Sequence, residues 1–549
     1  MKPQGESTFS IESDMQRMTK LGEKLENPYS VENMKKAWEK LKSSQPNGRI
    51  SGEDLEITAT HLYIQFKPKS EDELAILQRD STLILYTYPL DYEIEQAGDF
   101  YHDPELPLDR PTYQYCAVAV DKKLPEGVEF EILEELFIPD EDYDDDENQT
   151  NGRIATSGTM EALVDEALLI TGNLEEEASD YSNARRSKWR PAGTIRVWDE
   201  NIGTTNSTRR IFSHWEYYDC GGGLDEFEGI RRIRPIEQQC KRAVYRYETV
   251  VIDGSYVGLS GAKVRARRWF TTHEGITDAN GRFSCNGRFR RDANYSIKWE
   301  RNDFDIRSGS IGQAILNGPK RHGDWNHDIR SGSQRMYAIV NQASSDYYYG
   351  NRLGLKSPPR NSFWKTKVKI SVWDERDPDS KGSHCKDCRF LGISSRIRIW
   401  NNGVTFMAIY GTTIHELAHA SHWELRKNNW KDKYTERKVK ESWARGVQWA
   451  IGRLRYPNYR GGPIIRPDYT QVVVDMIDGR APLNAFGNPI DINNGSENLT
   501  EDDVAGYTIQ QIEDVLGNTS TWENWENNIR NRYNNGTEEN LDELFNHWD

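Results

Sequence analysis

Hydrophobic and polar positions change their spacing several times along the chain, and each change predicts a different kind of element. Between residues 58 and 138, short runs such as "THLYIQF" and "YQYCAVAV" are rich in β-forming residues and are separated by turn signals, which predicts strands. The run "STLILYTY" has the same character and predicts a further strand, whereas "SEDELAILQRD" has helical spacing. This part of the chain is therefore predicted to be a small α+β domain.

Weaker patterns flank this region on both sides. One amphipathic helix is predicted in "SVENMKKAWEKLKSSQPNG", where Pro46 ends it. The stretch "IPDEDYDDDENQTNG" (138–152) is interpreted as an acidic linker and not as an EF-hand calcium loop, because Asp145 stands at the sixth position, where that loop requires glycine. The next run, "GTMEALVDEALLITGN", has apolar residues at helical spacing and predicts one helix.

Residues 247–300 carry the clearest β pattern. The run "GAKVRARRWF" alternates side-chain character with a period of two, and "TDANGRF" supplies a turn before another strand. Strand runs spaced by turns in this way predict a small β-sandwich. The two motifs resemble the carboxypeptidase-regulatory-like (transthyretin-like) domains of secreted bacterial proteins. The resemblance implies a non-catalytic spacer or binding module.

Helical and strand patterns alternate in the C-terminal part. The runs with helical spacing are "RMYAIVNQASSDYYYG", "GVTFMAIYGTTIHELAHASHWELRK", "ERKVKESWARGVQWAIGRLRY" and the tail "YTIQQIEDVLGNTSTWENWENNIRNRYN". The runs that predict strands are "KTKVKISVWDE" and "SRIRIWN". This order of elements predicts a mixed, mostly helical domain.

Composition narrows the classes of function. The 549 residues include 36% hydrophobic and 11% aromatic residues, enough for two to four domains with buried cores. The net charge is −16, and residues 91–147 alone hold 20 acidic and three basic residues. This charge disfavours nucleic-acid binding, and the basic stretch "RRIRPIEQQCKR" (231–242) is interpreted as a solvated face or a contact for the acidic region. No run approaches the roughly 18 apolar residues that a membrane-spanning helix needs.

The cysteines do not predict a disulfide scaffold, because six in 549 residues are too few. The stretch "HCKDC" (384–388) is a single C-x-x-C pair, which is weak evidence for structural zinc without a second pair. Cys385 and Cys388 are therefore interpreted as a local disulfide of an exported protein or as a pair of free thiols.

The stretch "TTIHELAHASHWE" (412–424) carries the strongest chemical signal in the sequence. His415 and His419 lie one helical turn apart on one face, where two imidazoles can bind one Zn²⁺. Glu416, beside the first histidine, is placed to act as general base on a metal-bound water. We therefore expect zinc as cofactor, with histidines that only cap or pack as the alternative.

A catalytic zinc needs a third protein ligand and an open position. His422 shares the helix face, but the helix rise puts it roughly 10 Å along the axis from His415, so we expect it beside the site and not on the metal. The run "KESWARGVQWA" resembles the gluzincin arrangement, in which a glutamate on the following antiparallel helix completes the site. The resemblance implies Glu441 as third ligand, with Glu436 in reserve. The alternative is a surface glutamate, which a helix N-terminus favours in any case.

The expected reaction is the hydrolysis of peptide bonds. Zinc polarises the scissile carbonyl and lowers the pKa of its water, while Glu416 takes the water proton and returns it to the leaving amine. Tyr469, in "RPDYTQVVVDMIDG", is a candidate donor to the oxyanion, with a packed core tyrosine as the alternative. Asp475 or Asp478 is a candidate for orienting a histidine.

The β-domain and "GTTIHELAHASHW" followed by "ESWARG" together resemble zinc-metallopeptidase-like proteins of the Bacteroidetes. Such proteins are often exported lipoproteins, so the resemblance implies residence at the outer-membrane surface or in the periplasm. The start "MKPQGESTFS" has no apolar signal region, so this expectation requires that an export signal was trimmed.

The resemblance implies a protein or peptide substrate. The alternative function is a non-enzymatic component of a surface assembly, built on a zinc-binding or degenerate peptidase fold. Such a protein would bind its partner through the acidic N-terminal region or the β-domain. Glu416 favours catalysis, because a purely structural zinc needs no base.

The predicted fold class is multidomain α+β, with an N-terminal α+β domain, a small β-sandwich and a C-terminal, mostly helical, zincin-like metallopeptidase domain. The predicted segments are 1–50, a leader or helical segment; 51–138, a small α+β domain; 139–245, an acidic linker and connecting segment; 246–305, the β-sandwich; and 306–549, the metallopeptidase domain with a helical tail.

Overall fold

The computed structural model describes residues 15–44, 55–139, 157–174, 187–219, 239–309, 312–361, 367–375, 382–385, 396–401, 403–426, 434–465, 467–478 and 504–549. Within these ranges the fold is a mixed α+β fold with several sheets, as the alternating patterns predict. The chain forms two compact units, Met1–Val197 with Val257–Asp549, and Trp198–Tyr256. The acidic stretch from residue 140, residues 231–238 of the basic stretch, and Cys388 lie outside the described residues.

The strands are β1 (Lys20–Lys24), β2 (His61–Phe66), β3 (Tyr92–Gln96), β4 (Gln114–Ala119), β5 (Phe130–Leu136), β6 (Ala192–Asp219), β7 (Gln239–Gly258), β8 (Lys263–Arg268), β9 (Thr271–Ile276), β10 (Arg282–Ser284), β11 (Ala293–Lys298), β12 (Phe304–Ser308), β13 (Gly312–Gln313), β14 (Ile315–Arg321), β15 (Trp325–Ile329), β16 (Val368–Trp373), β17 (Gly382–Cys385) and β18 (Arg396–Trp400). The α-helices are α1 (Val31–Ser44), α2 (Glu71–Arg79), α3 (Ser157–Ile170), α4 (Gly332–Tyr349), α5 (Phe406–Leu425), α6 (Arg437–Arg455), α7 (Val472–Asp478), α8 (Ile509–Leu516), α9 (Trp522–Arg532) and α10 (Leu541–His547). None of the helices in the described ranges has both the length and the apolar composition that a membrane crossing needs.

An antiparallel sheet in the order β4–β2–β5 organises the N-terminal part. Successive side chains of a strand point to opposite faces, so Tyr63 and Ile64 of β2 enter different hydrophobic clusters. The cluster around Tyr63 also takes Trp38 of α1 and Leu163 of α3. The predicted helices of residues 31–44 and 157–170 therefore cover one face of this sheet.

The predicted strand "STLILYTY" is wrong. Only Tyr86 in this run forms a β-bridge, with Tyr115 of β4. Leu83 and Leu85 pack in one hydrophobic cluster and Tyr88 in the other. Most of the run after Thr82 is therefore buried, but it meets its neighbouring strand at a single point and forms no ladder.

Two four-stranded sheets follow. One has the antiparallel order β14–β11–β8–β9, and the other has the order β10–β6–β15 with β7 also paired to β6. The ring of Tyr295 on β11 lies 5.4 Å from that of Trp325 on β15 and 6.2 Å from that of Phe283 on β10, which packs the two sheets face to face. These two sheets include strands from before and after the predicted β-sandwich range 246–305. The division of the chain into five segments stays a prediction.

The second unit consists mainly of the long paired strands β6 and β7. An ion pair of 2.7 Å between Arg242 and Glu216 links the two strands. The sequence analysis treated most of this part as a connecting segment. Its β character was missed because "TTNSTRRIFSHWEYYD" has no regular alternation of apolar and polar residues.

A five-stranded sheet in the order β13–β12–β16–β18–β17 supports the helices of the candidate site. Its three inner strands are parallel, and β17 runs antiparallel to β18. Helix α4 packs on this sheet, where the Tyr337 hydroxyl donates to Ser308 at 2.8 Å. Helix α5 packs on α4, and the hydroxyl groups of Tyr347 and Ser421 lie 3.0 Å apart.

Candidate metal centre

Helix α5 presents two histidines on one face. The Thr405 side chain accepts the backbone N–H of Ala408 and begins the helix. His415 and His419 follow one turn apart, and their ring centroids lie 4.7 Å from each other. The apolar residues around them bury His415, and Glu416 beside it is 6% exposed. The predicted helix and its buried setting are confirmed.

Helix α6 brings Glu441 to these histidines. Glu441 Oε2 lies 3.2 Å from His415 Nε2 and 3.0 Å from His419 Nε2, and the two Nε2 atoms are 3.1 Å apart. The three atoms form a nearly equilateral triangle. Among the residues that the structure describes, this is the one group of three or more His, Cys, Asp or Glu side chains close enough to share an ion.

A glycine allows α5 and α6 to approach each other closely. A Cβ atom on Gly411 would lie 1.9 Å from Tyr459 Oη and 2.8 Å from Gln448 Nε2. The Gln448 side chain donates to Tyr459 Oη at 2.7 Å, so both groups are held at this position. Gly411 precedes His415 by one turn, whereas Gln448 follows Glu441 by two turns. The two helices are therefore antiparallel, as predicted, and Gly411 sets their separation beside the candidate site.

We expect Gly411→Ala to destabilise the protein. Overpacking costs about 1–3 kcal/mol, whereas alanine gains about 1 kcal/mol in helix propensity. The net effect should be a loss of up to about 2 kcal/mol in the free energy of unfolding, measured by urea denaturation. Thr412→Ala, at the half-buried neighbouring position of the same helix, is the control. An unchanged or higher stability of Gly411→Ala would show that Tyr459 can move away without cost.

The two glutamates at the site have opposite electrostatic environments. The pKa of Glu416 is raised to about 7, because burial outweighs the lowering effect of His415 and the nearby Glu441 carboxylate acts in the same direction as burial. Burial also acts to raise the pKa of Glu441. His419 and the hydrogen bonds from both histidines outweigh burial there and hold the Glu441 pKa well below its usual range. Glu441 therefore holds its negative charge between the two imidazoles.

Tyr469 lies against the histidines. Its ring stacks on that of His415 with the centroids 6.0 Å apart and the planes inclined by 22°. Burial and the charge of Glu441 raise the pKa of Tyr469, whereas a hydrogen bond from Arg437 lowers it. Arg437 also lies 3.3 Å from Asp468 and 3.8 Å from Glu441 Oε1. The structure thus places the tyrosine hydroxyl beside an arginine at the edge of the candidate site.

Two residues that were not predicted as site residues hold the Tyr469 segment. Ser442, which follows Glu441, donates to the carbonyl of Asp468 at 3.0 Å and accepts the backbone N–H of Thr470 at 3.2 Å. Arg445 is buried and donates to the carbonyl of Gly462 at 3.1 Å. The signal in the sequence is a row of polar residues at helical spacing on α6, which sequence reasoning assigns to solvent.

Other candidate residues lie elsewhere. His422 is buried on α5 and does not belong to the group of three, in agreement with the prediction. The Glu436 carboxylate accepts the backbone N–H of Trp522 at 2.7 Å, so the reserve ligand holds the C-terminal helices instead. Asp475 accepts hydrogen bonds from Gln471 and from the Trp548 indole at 3.0 and 2.8 Å. Asp478 is the last residue of α7, and the role of either aspartate in orienting a histidine stays a prediction.

Comparison with known proteins gives no relative for this chain: no family model, curated protein or solved structure matches it. The likeness to gluzincins and to carboxypeptidase-regulatory-like domains therefore rests on the motifs quoted above. In the structure, His415, His419 and Glu441 converge from two helices.

Proposed function

We propose that the protein is a zinc-dependent metallopeptidase. In this proposal His415, His419 and Glu441 hold the metal ion, and Glu416 is the general base. The single observation that carries the proposal is the triangle of ligand atoms, with sides of 3.0, 3.1 and 3.2 Å.

The dimensions of this triangle fit one shared cation. Ligand atoms about 2.0–2.1 Å from zinc at tetrahedral angles lie roughly 3–3.5 Å apart, and two imidazoles with one carboxylate form a known catalytic ligand set. Hydrogen bonds along all three sides explain the geometry less well. Each ring N–H points in one direction, whereas each Nε2 atom here has two neighbours at hydrogen-bond distance.

The roles of the protein groups follow from their positions. Bound zinc would supply a Lewis acid for the scissile carbonyl. Glu416 is adjacent to His415 and buried, so its carboxylate would accept the proton of the attacking water and pass it to the leaving amine. Tyr469 would donate a hydrogen bond to the developing oxyanion, and Arg437 would hold the tyrosine hydroxyl in place.

An extended peptide is the substrate that the surroundings support best. Helix α5 contacts β17 and β18, and β17 has a neighbouring strand on only one side within the described ranges. The outer edge of such a strand offers backbone N–H and C=O groups to an added strand. A polypeptide bound along β17 would lie beside the helix that carries Glu416.

The proposed activity is tested by incubating the zinc-loaded protein with an unbiased peptide library and reading the products by mass spectrometry. We expect cleavage that a zinc chelator abolishes and that added zinc restores. If the loaded protein cuts no peptide but captures an intact protein partner, the non-enzymatic alternative takes the place of this proposal.

The third ligand is tested by comparing two variants. We expect Glu441→Ala to weaken zinc affinity by more than the roughly 10–100-fold typical of a lost supporting residue, because it removes one corner of the triangle. His422→Ala should change the affinity little, since His422 is outside the group of three. Competition with a chromophoric chelator measures both affinities. Equal or reversed losses would exclude Glu441 as the third ligand.

A further inference from the structure

Exposed hydrophobic side chains concentrate on strand β5. Phe130, Ile132 and Leu133 are 42, 49 and 41% exposed, and they are three of the eleven large hydrophobic residues that are exposed among the described residues. Scattered single apolar residues on a surface need no explanation, but Phe130 and Ile132 occupy alternate positions on one face of β5 and form a patch, with Leu133 next to them at a register shift. This patch belongs to the acidic N-terminal region and is separate from the candidate metal centre.

The backbone of β5 is open on one side along its first residues, whereas Leu136 at its end also forms an isolated antiparallel bridge with Ser30. In the order β4–β2–β5, the strand is an outer strand with β2 as its neighbour within the described ranges. Lys67 donates its backbone N–H to the Glu129 carbonyl at 2.8 Å, next to the pair of Phe66 and Phe130. In an antiparallel ladder, hydrogen-bonded and non-hydrogen-bonded pairs alternate. The backbone groups of Phe130 and Ile132 therefore point away from β2, towards the open edge.

The charge of β5 indicates which kind of chain could pair with its open edge. β5 contains Glu131, Glu134 and Glu135 and no basic residue, and Lys67 of β2 pairs with Glu131 at 2.6 Å. In the described part of the acidic region, residues 91–139, the sequence holds 13 acidic and three basic residues. A second copy of the chain paired along this edge would bring glutamates opposite glutamates, which is destabilising. A basic segment would instead be attracted.

We propose that the outer edge of β5 binds an extended, basic segment of a partner protein by strand addition. The backbone of Phe130 and Ile132 supplies the hydrogen bonds, the exposed apolar side chains pack against alternate residues of the added strand, and the glutamates select lysine or arginine. This surface does not depend on the proposed peptidase activity.

The test uses the full chain and a labelled peptide, acetyl-(Val-Lys)4-amide, with binding followed by fluorescence anisotropy. We expect saturable binding that Ile132→Pro weakens by at least about tenfold. Proline removes the outward N–H donor and is tolerated on an outer strand whose N–H faces solvent. Ile276→Pro is the matched control, because Ile276 is 47% exposed on β9, the outer strand of another sheet. This control variant should bind the peptide like the unaltered protein. Thermal unfolding checks that both variants fold.

Two further peptides separate the proposal from its alternatives. The acidic peptide acetyl-(Val-Glu)4-amide should not bind, and a lysine peptide N-methylated at alternate residues should bind weakly, because it lacks the donors of an added strand. Equal binding of the N-methylated peptide, or equal binding by Ile132→Pro, would show simple charge attraction and overturn strand addition. A concentration-dependent dimer that Ile132→Pro abolishes, measured by sedimentation, would show that the occupant is a second copy.

Discussion

Glu416→Gln is expected to reduce peptide hydrolysis by roughly 10²–10⁴-fold, the usual contribution of general acid–base catalysis. Glutamine has nearly the same shape as glutamate, and Glu416 is buried beside the three proposed ligands without being one of them. The fold and the zinc content should therefore remain unchanged. The variant loses only the carboxylate that is proposed to accept the proton of water. Initial rates on a peptide selected from the library measure the loss, and metal analysis verifies the zinc content.

The matched control for this variant is Glu424→Gln, two helical turns further along α5 and outside the group of three. It makes the same chemical change on the same helix and should keep full activity. Undiminished hydrolysis by Glu416→Gln with full zinc content would show that another group activates water. Loss of zinc together with activity would mean that Glu416 supports the metal site, and the rate could then not be assigned to proton transfer.

Local pattern predicted the elements that carry the candidate site, because helical spacing and ligand spacing are both local. His415 and His419 lie on a helix whose apolar context is visible in the sequence, and the helix that brings Glu441 was predicted at 436–456 and observed at Arg437–Arg455. Helix rise also excluded His422 correctly. The separation of the two helices could not be predicted, since it depends on contacts such as that of Gly411 with Tyr459, 48 positions later in the chain.

Polar residues that become buried account for much of what the sequence could not predict. Ser442 and Arg445 look like the solvent side of an amphipathic helix, but the Tyr469 segment folds over them and uses their hydrogen-bonding groups. Arg265 alternates with apolar residues on β8, yet it is buried and donates to the carbonyl of Leu85 at 2.9 Å. A hydrophobicity pattern separates polar from apolar side chains. It does not show whether a polar side chain forms its hydrogen bonds with water or with a backbone carbonyl from a distant part of the chain.

His415→Ala and His419→Ala are each expected to abolish stoichiometric zinc binding. Each substitution removes one of the three proposed protein ligands and leaves two, which cannot form the three-ligand site typical of catalytic zinc. The unaltered protein should retain about one zinc per chain after dialysis against a weak chelator. Zinc should also stabilise it, because a ligand that binds only the folded state adds about 2.7 kcal/mol at a concentration one hundred times its dissociation constant.

The melting temperature of each variant should therefore be independent of added zinc, whereas that of the unaltered protein should rise. His322→Ala is the control, since His322 is an exposed histidine between β14 and β15 and outside the group of three. It should bind zinc and be stabilised like the unaltered protein. If all four proteins are stabilised equally, zinc binds elsewhere, and the close approach of His415, His419 and Glu441 is a hydrogen-bonded cluster. If only His415→Ala and His419→Ala are not stabilised by zinc, the metal lies between α5 and α6, where Glu416 can reach a water molecule beside it.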